Sequence, residues 1–231
     1  MYHVSLAPAA APAADWQSGD IARLTLAGDP GRPRDYSIAS IPADGALELI
    51  VRQEQHPDGR LGAASGLLTS TLPLGDTLQL QLRPHRTFRL DENLQRPLLL
   101  IGNGTGLAGL RGHLRARAAQ GLLDNWLIFG ERNVKHDFLC RGDIEGWQRT
   151  GVLQRVDMVF SRDQAERLYV QHRLLQLHGE VLAWLERGAA IYVCGSLQGM
   201  ASGVDAALRQ IAGDAFMREL SAGGRYRRDV Y

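Results

Sequence analysis

The sequence predicts a chain of two parts, a small antiparallel β-barrel followed by a doubly wound α/β domain with a parallel sheet. Two observations support this fold class. Up to about residue 95, short strands are separated by turns rich in glycine, proline and aspartate. From residue 96 onward, apolar strands alternate with amphipathic helices, which is typical of a parallel sheet. We therefore predict domains at residues 1–95 and 96–231.

The first part is expected to hold four strands and one short helix. The strands are predicted at residues 20–28, 34–40, 45–53 and 75–84, between turn sequences such as GDPGRP, PADG and HPDGR. The stretch AASGLLTSTL at residues 63–72 spaces its leucines as a helix does. The low-complexity stretch APAAAPAA at residues 7–14 is expected to be a mobile lead-in. So few residues remain before the strand at 34–40 that the barrel must be minimal.

The second part is expected to place its ligand sites at the carboxyl ends of parallel strands. Its strands are predicted at residues 97–102, 125–131, 156–163 and 189–196, with amphipathic helices that include residues 107–121 and 196–212. The final stretch GRYRRDVY has no clean apolar face as a strand, so packing alone explains it poorly.

Composition excludes several classes of protein. The 26 basic and 25 acidic side chains nearly balance, so no global charge draws the chain to nucleic acid or an anionic membrane. The two cysteines, Cys140 and Cys194, and the seven histidines lack metal-ligand spacing, so we expect no metal site and no disulfide. No stretch approaches the ~18 to 20 apolar residues of a membrane span. These features favour a cytoplasmic protein without a membrane segment.

A glycine-rich turn follows the first strand of the second part. The sequence PLLLIGNGTGLAG places Gly102, Gly104, Gly106 and Gly109 at the start of a helix. Glycines there let backbone amides approach a phosphate, and the helix N-terminus favours negative charge. Tight strand-to-helix turns need glycine in any case, so the pattern alone leaves both interpretations open.

A second group of polar residues follows the strand at 156–163. Ser161 and Arg162 come first, and Arg167, Tyr169 and Gln171 follow closely. An arginine beside a hydroxyl suits the capture of a phosphate monoester, such as the 2′-phosphate that distinguishes NADP from NAD. The alternative is a solvated loop.

Two further strand ends carry reactive or charged side chains. Cys194 ends the strand at 189–196, where a cysteine is usually a small buried apolar residue rather than a nucleophile. Glu131 and Arg132 end the strand at 125–131 and are most simply interpreted as a solvated loop.

The first part has two candidate binding elements of its own. Arg34 and Tyr36 lie in the strand RDYSIAS, where arginine can meet a pyrophosphate and tyrosine can stack on a planar ring. The turn LGAAS at residues 61–65 offers free backbone amides and Ser65 as a phosphate cradle. An ordinary edge strand and turn are the alternatives.

Taken in order, these motifs resemble those of the ferredoxin-NADP reductase-like flavoproteins. The likeness covers residues 16–231 and includes RDYSIAS, GAAS, IGNGTG, LIFGERN, FSRDQAERLYVQH, IYVCG and GRYRRDVY. It is strongest to the FAD/NADPH module of the diflavin reductases, such as sulfite reductase flavoprotein and cytochrome P450 reductase. The sequence departs from the usual family pattern at Gly109, Leu110, Ser196 and Gly203.

The resemblance implies two sets of cofactor-binding residues. The FAD set would be Arg34, Tyr36, Ser37, Gly62, Ala63, Ala64, Ser65 and Tyr231. The NADPH set would be Gly104, Thr105, Ser161, Arg162, Arg167, Tyr169 and Gln171. It also implies a catalytic cluster of Ser37, Cys194 and Asp229, with Tyr231 stacked on the flavin as a movable cover.

The function implied by the resemblance is an NADPH-dependent flavoprotein reductase. It would transfer a hydride from NADPH to FAD and pass electrons to a one-electron acceptor, either a flavodoxin-like FMN domain or a haem protein, which could be membrane-bound. Two alternatives remain: a free-flavin, ferric or quinone reductase that holds FAD loosely, or a non-catalytic domain that has lost FAD.

Overall fold

The computed structural model describes residues 1–9 and 15–231, so part of the low-complexity stretch at 7–14 lies outside the described residues. The first part of the chain forms two antiparallel sheets. Their strands are β1 (Tyr2–Leu6), β2 (Ile21–Leu26), β3 (Asp29–Ser37), β4 (Leu47–Val51) and β5 (Gln81–Arg83). Strand β1 pairs with β4, and β2 lies between β3 and β5. A bridge between Ile38 and Leu49 connects the two sheets.

The second part of the chain forms a five-stranded parallel sheet. Its strands are β6 (Leu98–Asn103), β7 (Asn125–Glu131), β8 (Arg155–Phe160), β9 (Ala190–Gly195) and β10 (Tyr226–Val230). The strand order is β10-β9-β6-β7-β8, so the direction of winding reverses between β6 and β9. Ligands of doubly wound sheets bind beyond the carboxyl ends of the strands at such a reversal.

Helices cover both faces of the parallel sheet. The helices of this part are α2 (Leu107–Ala118), α3 (Val134–Asp137), α4 (Arg141–Thr150), α5 (Val170–Gln176), α6 (His178–Glu186), α7 (Ser202–Ala212) and α8 (Asp214–Ala222), while α1 (Ala63–Gly66) belongs to the first part of the chain. Successive residues of β6 point to opposite faces: Leu99 and Ile101 pack in one core cluster, while Leu98 and Leu100 pack in another. Such strands are apolar throughout because both faces are buried.

A buried arginine joins the two parts. The guanidinium of Arg111, on α2, is 2% exposed and forms an ion pair with Glu48 of β4. It also donates to the carbonyl oxygen of Ala39 at 2.6 Å and to Asp143 of α4 at 2.7 Å. Because a buried guanidinium is stable only when its donors are satisfied, this cluster holds the antiparallel sheets against α2. A cleft is left at the carboxyl edge of the parallel sheet.

The predicted fold class is confirmed, with differences in individual elements. Strand β1 was not predicted, since its YHVSL sequence adjoins the alanine-rich stretch. The predicted strand at 75–84 is reduced to β5, and the predicted helix at 63–72 divides into α1 and a wider π-turn at Leu67–Thr71. The boundary at residue 95 stays a prediction; the chain crosses between the sheets after β5 and before β6. Among the described helices, none is both long and apolar enough to cross a membrane.

Candidate active site

Three side chains meet where the antiparallel and parallel sheets come together. Ser37 ends β3, Cys194 lies in β9, and Asp229 is the register partner of Cys194 in β10. The Ser37 hydroxyl donates to Asp229 Oδ2 at 2.7 Å, and the Cys194 thiol lies 3.6 Å from the same oxygen. The structure therefore brings together the three residues that the resemblance assigned to catalysis.

Cys194 is fully buried, which decides its chemical state. Burial raises the pKa of the thiol well above its ordinary value, and the neighbouring Asp229 carboxylate raises it further. Because the thiolate is the nucleophilic form of cysteine, a thiol with a raised pKa is a poor nucleophile near neutral pH. Cys194 is thus suited to orient and pack, not to attack.

The last residue, Tyr231, lies beside this cluster and is 57% exposed. Its backbone N–H donates to the carbonyl oxygen of Gly195 at 3.1 Å, and its own carbonyl accepts from the N–H of Leu197 at 2.9 Å. Its phenolic oxygen lies 3.1 Å from Thr105 Oγ1. These bonds hold the aromatic ring at the mouth of the cleft.

A cavity of about 730 Å³ lies on the parallel-sheet side of Tyr231. Of the residues expected to bind NADPH, it is lined by Gly104, Thr105, Ser161, Tyr169 and Gln171. Arg162 and Arg167 are exposed in the loop between β8 and α5 and are not part of its lining. The backbone N–H of Ser161 donates to the carbonyl oxygen of Glu131, which links this loop to β7.

The glycines of the turn after β6 have different tasks. A Cβ on Gly102 would lie 2.5 Å from the carbonyl oxygen of Cys194, and a Cβ on Gly106 would collide with the same oxygen. These two glycines therefore let β6 and the start of α2 pack against β9. Gly104 faces the cavity, has a positive φ of 55°, and its Cβ would lie 2.9 Å from Arg52 Nη2. Gly104 is the one suited to bring a backbone amide close to a ligand.

A second cavity, of about 560 Å³, lies on the antiparallel side of Tyr231. All eight residues expected to bind FAD line it: Arg34, Tyr36, Ser37, Gly62, Ala63, Ala64, Ser65 and Tyr231. The buried Ser65 hydroxyl accepts from the N–H of Glu54 at 3.1 Å, so it braces the turn internally. A Cβ on Gly62 would lie 2.9 Å from Ser65 Oγ, so the turn can be this tight only because residue 62 has no side chain.

Arg52 and Asn103 belong to the site but were not identified from the sequence. Arg52 lines both cavities, as do Glu54, Thr105 and Tyr231. Asn103 lines the larger cavity, and its Oδ1 accepts from the N–H of Ser196 at 3.0 Å. The sequence did offer a signal for Arg52: it directly follows the apolar strand LELIV, and a charged residue at that point indicates the end of the strand.

Glu131 contradicts the interpretation of its segment as a solvated loop. It is the last residue of β7 and is only 7% exposed. Burial raises the pKa of its carboxyl group to about 7, and nearby Asp137 contributes to the shift. The interpretation was wrong because Glu131 is still part of the sheet: it is the register partner of Phe160, and its carbonyl oxygen accepts from the N–H of Ser161. Arg132, the next residue, is largely open to solvent as expected.

Comparison with known proteins identifies a nucleotide-binding domain in the second part of the chain. Residues 100–206 match the family described as oxidoreductase NAD-binding domain. This range contains most of β6, the glycine turn and Cys194. Among the described residues, no cluster of histidine, cysteine or acidic side chains could hold a metal ion.

The chain is also similar over most of its length to three curated bacterial proteins named sulfite reductase [NADPH] flavoprotein alpha-component. Identity is 37% with the protein of Vibrio cholerae, over 86% of this chain and 35% of that protein. It is 36% with the Vibrio parahaemolyticus protein, over 94% of this chain and 36% of that protein. It is 36% with a Shewanella protein, over 87% of this chain and 36% of that protein. The chain thus spans about a third of the length of these relatives.

Proposed function

We propose that the chain, which resembles the ferredoxin-NADP reductase-like flavoproteins, is a reductase that transfers a hydride from NADPH to FAD. Electrons would then pass to a one-electron acceptor. The single observation that carries this proposal is that the two cavities adjoin at Tyr231 and Thr105, which line both, and that Ser37 in the wall of the smaller cavity is hydrogen-bonded to Asp229. A hydride donor in one cavity and an acceptor in the other would meet at this point.

The smaller cavity fits FAD. Tyr36 supplies an aromatic face for a planar ring, and Arg34 supplies a charge for a pyrophosphate. All four residues of the turn at 62–65 line this cavity, at the start of α1. FAD, when bound, supplies the ability to accept a hydride and to release electrons one at a time.

The larger cavity fits a dinucleotide at the reversal of the parallel sheet. Gly104 and Thr105 lie in the turn just before α2, where backbone amides and the helix terminus favour a pyrophosphate. Arg52 adds a guanidinium from the antiparallel side. We assign Arg162 and Arg167, in the exposed loop, to the 2′-phosphate that distinguishes NADPH from NADH.

The residues at the junction would orient the reacting rings and exclude water. The Ser37 hydroxyl donates a hydrogen bond to Asp229 and so holds its carboxylate in place. The fixed carboxylate could then stabilise the positive charge that develops on a nicotinamide. The neutral Cys194 thiol fills the space beneath that carboxylate. Tyr231 covers the mouth and would move aside when a nicotinamide enters.

The class of electron acceptor is inferred from the chemistry of a reduced flavin, which can release its electrons one at a time. The named relatives are flavoprotein components of an NADPH sulfite reductase and are about three times as long as the matched region. We propose an FMN-containing domain or a haem protein as the partner, because either takes up electrons singly.

A second candidate function is reduction of free flavin, ferric ion or quinone, with FAD held loosely. The exposed side chain of Arg34 favours it, because this part of the wall of the smaller cavity is open to solvent.

The test is a visible spectrum of the purified protein after incubation with FAD and desalting, taken before and after anaerobic addition of NADPH. A retained flavin spectrum that bleaches with NADPH supports the first function. Flavin lost on desalting, but reduced when supplied in excess with NADPH, supports the second. No flavin uptake and no NADPH oxidation would leave the chain as a non-catalytic domain and reject both.

A further inference from the structure

Glu131 is a buried carboxyl group that the proposed reaction does not use. It ends β7 in the wall of the larger cavity, between Gly130 and Arg132, and is 7% exposed. Its Oε1 has no hydrogen-bond partner among the residues that the structure describes. Leaving a buried carboxylate oxygen unpaired is costly, so such a group in a cavity wall requires an explanation.

Charges of both signs surround this carboxyl group. Asp137 approaches from α3 and disfavours ionisation, while Arg52 after β4 and the adjoining Arg132 favour it. The Arg132 N–H also favours the ionised form. Glu54 lines the same cavity from the antiparallel side and is exposed. Burial outweighs the arginines, and the pKa of Glu131 is raised to about 7.

A dinucleotide in this cavity would bring further negative charge. An ionised Glu131 would repel a pyrophosphate or phosphate, and the repulsion is strong where water is excluded. The neutral carboxyl group instead carries one O–H donor, which can be given to an oxygen of the ligand. The two protonation states of Glu131 therefore differ in their affinity for the same nucleotide.

We propose that Glu131 couples nucleotide binding to proton uptake, so that NADP(H) binds the form of the protein in which this carboxyl is neutral. The proposal rests on the proposed NADPH site and adds its regulation by pH. Nucleotide affinity falls as the pH rises above neutrality, because a proton must then be taken from solvent for each nucleotide bound. The limiting slope is about tenfold in Kd per pH unit, the value for one linked proton.

The experiment is isothermal titration calorimetry of NADP+ into the FAD-loaded protein at pH 6.5 to 8.5, in pairs of buffers that differ in ionisation enthalpy. The dependence of the heat on the buffer counts the protons taken up. We expect close to one proton per NADP+ at pH 8 in the unaltered protein. This count needs no variant and so does not depend on how a substitution folds.

Two variants locate the proton. Glu131→Gln keeps the shape and a donor, and it should bind NADP+ without this proton uptake and with a flatter pH profile. Glu54→Gln removes an exposed carboxylate from the same cavity and should retain the uptake. Titration of the 2′-phosphate of NADP+ affects all three proteins alike. Its contribution therefore cancels in the ratio of the dissociation constants of the unaltered protein and each variant at the same pH.

The outcomes separate the two proposals. NADP+ binding without proton uptake, or with equal uptake in Glu131→Gln, overturns the role of Glu131 and leaves the proposed function standing. Uptake lost in Glu54→Gln but kept in Glu131→Gln would also overturn it. Failure of NADP+ to bind any of the three proteins would reject the NADPH site itself, and the coupling with it.

Discussion

The Ser37 hydroxyl donates to Asp229 Oδ2 at 2.7 Å, which joins residues 192 positions apart in the chain. One partner ends β3 in the antiparallel part, and the other lies in β10, at the edge of the parallel sheet. The bond therefore exists only when the two parts are docked. It fixes the carboxylate directly behind Ser37, which lines the smaller cavity.

We predict that Ser37→Ala slows hydride transfer from NADPH to FAD. A hydrogen bond to a charged group is worth about 1.5 to 3 kcal/mol, so the rate should fall roughly ten- to a hundredfold. Stopped-flow measurement of flavin reduction at saturating NADPH gives this rate directly. Asp229→Asn removes the charge and should slow the same step.

The double variant, Ser37→Ala with Asp229→Asn, shows whether the two residues act together or independently. If Ser37 acts by fixing Asp229, the combined loss will be clearly smaller than the sum of the single losses. Strictly additive losses would mean that the hydroxyl contributes by another route, and an unchanged rate in both single variants would remove the pair from the mechanism.

Cys194→Ser should also slow hydride transfer while the bound FAD content stays unchanged. The fully buried thiol lies 3.6 Å from Asp229 Oδ2, and a smaller, more strongly bonding hydroxyl would alter that carboxylate's surroundings. Stopped-flow rates and the flavin-to-protein absorbance ratio check this. Cys140→Ser is the matched control, because Cys140 precedes α4 and lies outside both cavities. Equal rates in both variants would exclude a role for Cys194.

The parallel sheet could be predicted from the sequence because each of its central strands is an apolar run buried on both faces. The cluster of Ser37, Cys194 and Asp229 could be predicted only through the likeness to a family, since no local pattern reports a contact over 192 residues. Arg52 and Glu131 were missed because their surroundings depend on docking. Arg52 reaches the larger cavity only when the antiparallel sheets are docked, and Glu131 is buried in the wall of that cavity although it ends its strand.

Arg162→Ala should raise the KM for NADPH and bring it closer to the KM for NADH. The expected loss is about 1.5 to 3 kcal/mol of binding if Arg162 holds the 2′-phosphate, and NADH should be little affected. Steady-state kinetics with both nucleotides provide the measurement. Arg149→Ala, another exposed arginine at the end of α4, should change neither value. A KM for NADPH equal to that of the unaltered protein would place the 2′-phosphate elsewhere.

Tyr231→Phe and Tyr231→Ala should differ if the ring itself covers the flavin. The phenylalanine variant loses the contact with Thr105 at 3.1 Å but keeps the aromatic face, so its nucleotide preference should stay close to that of the unaltered protein. The alanine variant uncovers the site and should bind the nicotinamide of NADH more tightly. KM and kcat for both nucleotides test this. Identical kinetics in all three proteins would show that the ring has no part in turnover.

His113 should make the protein sensitive to acid. It is fully buried on α2, with ring centroids 5.0 Å from Phe88 and 4.7 Å from Tyr192, and burial lowers its pKa from 6.5 to about 3. The unfolded chain takes up a proton near pH 6.5, whereas the folded chain does not until about pH 3. Protonation of His113 therefore has no effect on stability above pH 6.5, and the free energy of unfolding falls as the pH drops from 6.5 toward 3. The limiting slope is about 1.4 kcal/mol per pH unit.

Urea denaturation at pH 7 and pH 5 measures this effect. His113→Leu has a similar volume and no charge to bury, so its free energy of unfolding should fall by about 1 to 2 kcal/mol less between the two pH values. His178→Gln, which changes an exposed histidine at the start of α6, should follow the unaltered protein. If His113→Leu loses as much stability on acidification as the unaltered protein does, other groups dominate the response to acid, and the buried imidazole contributes only to packing.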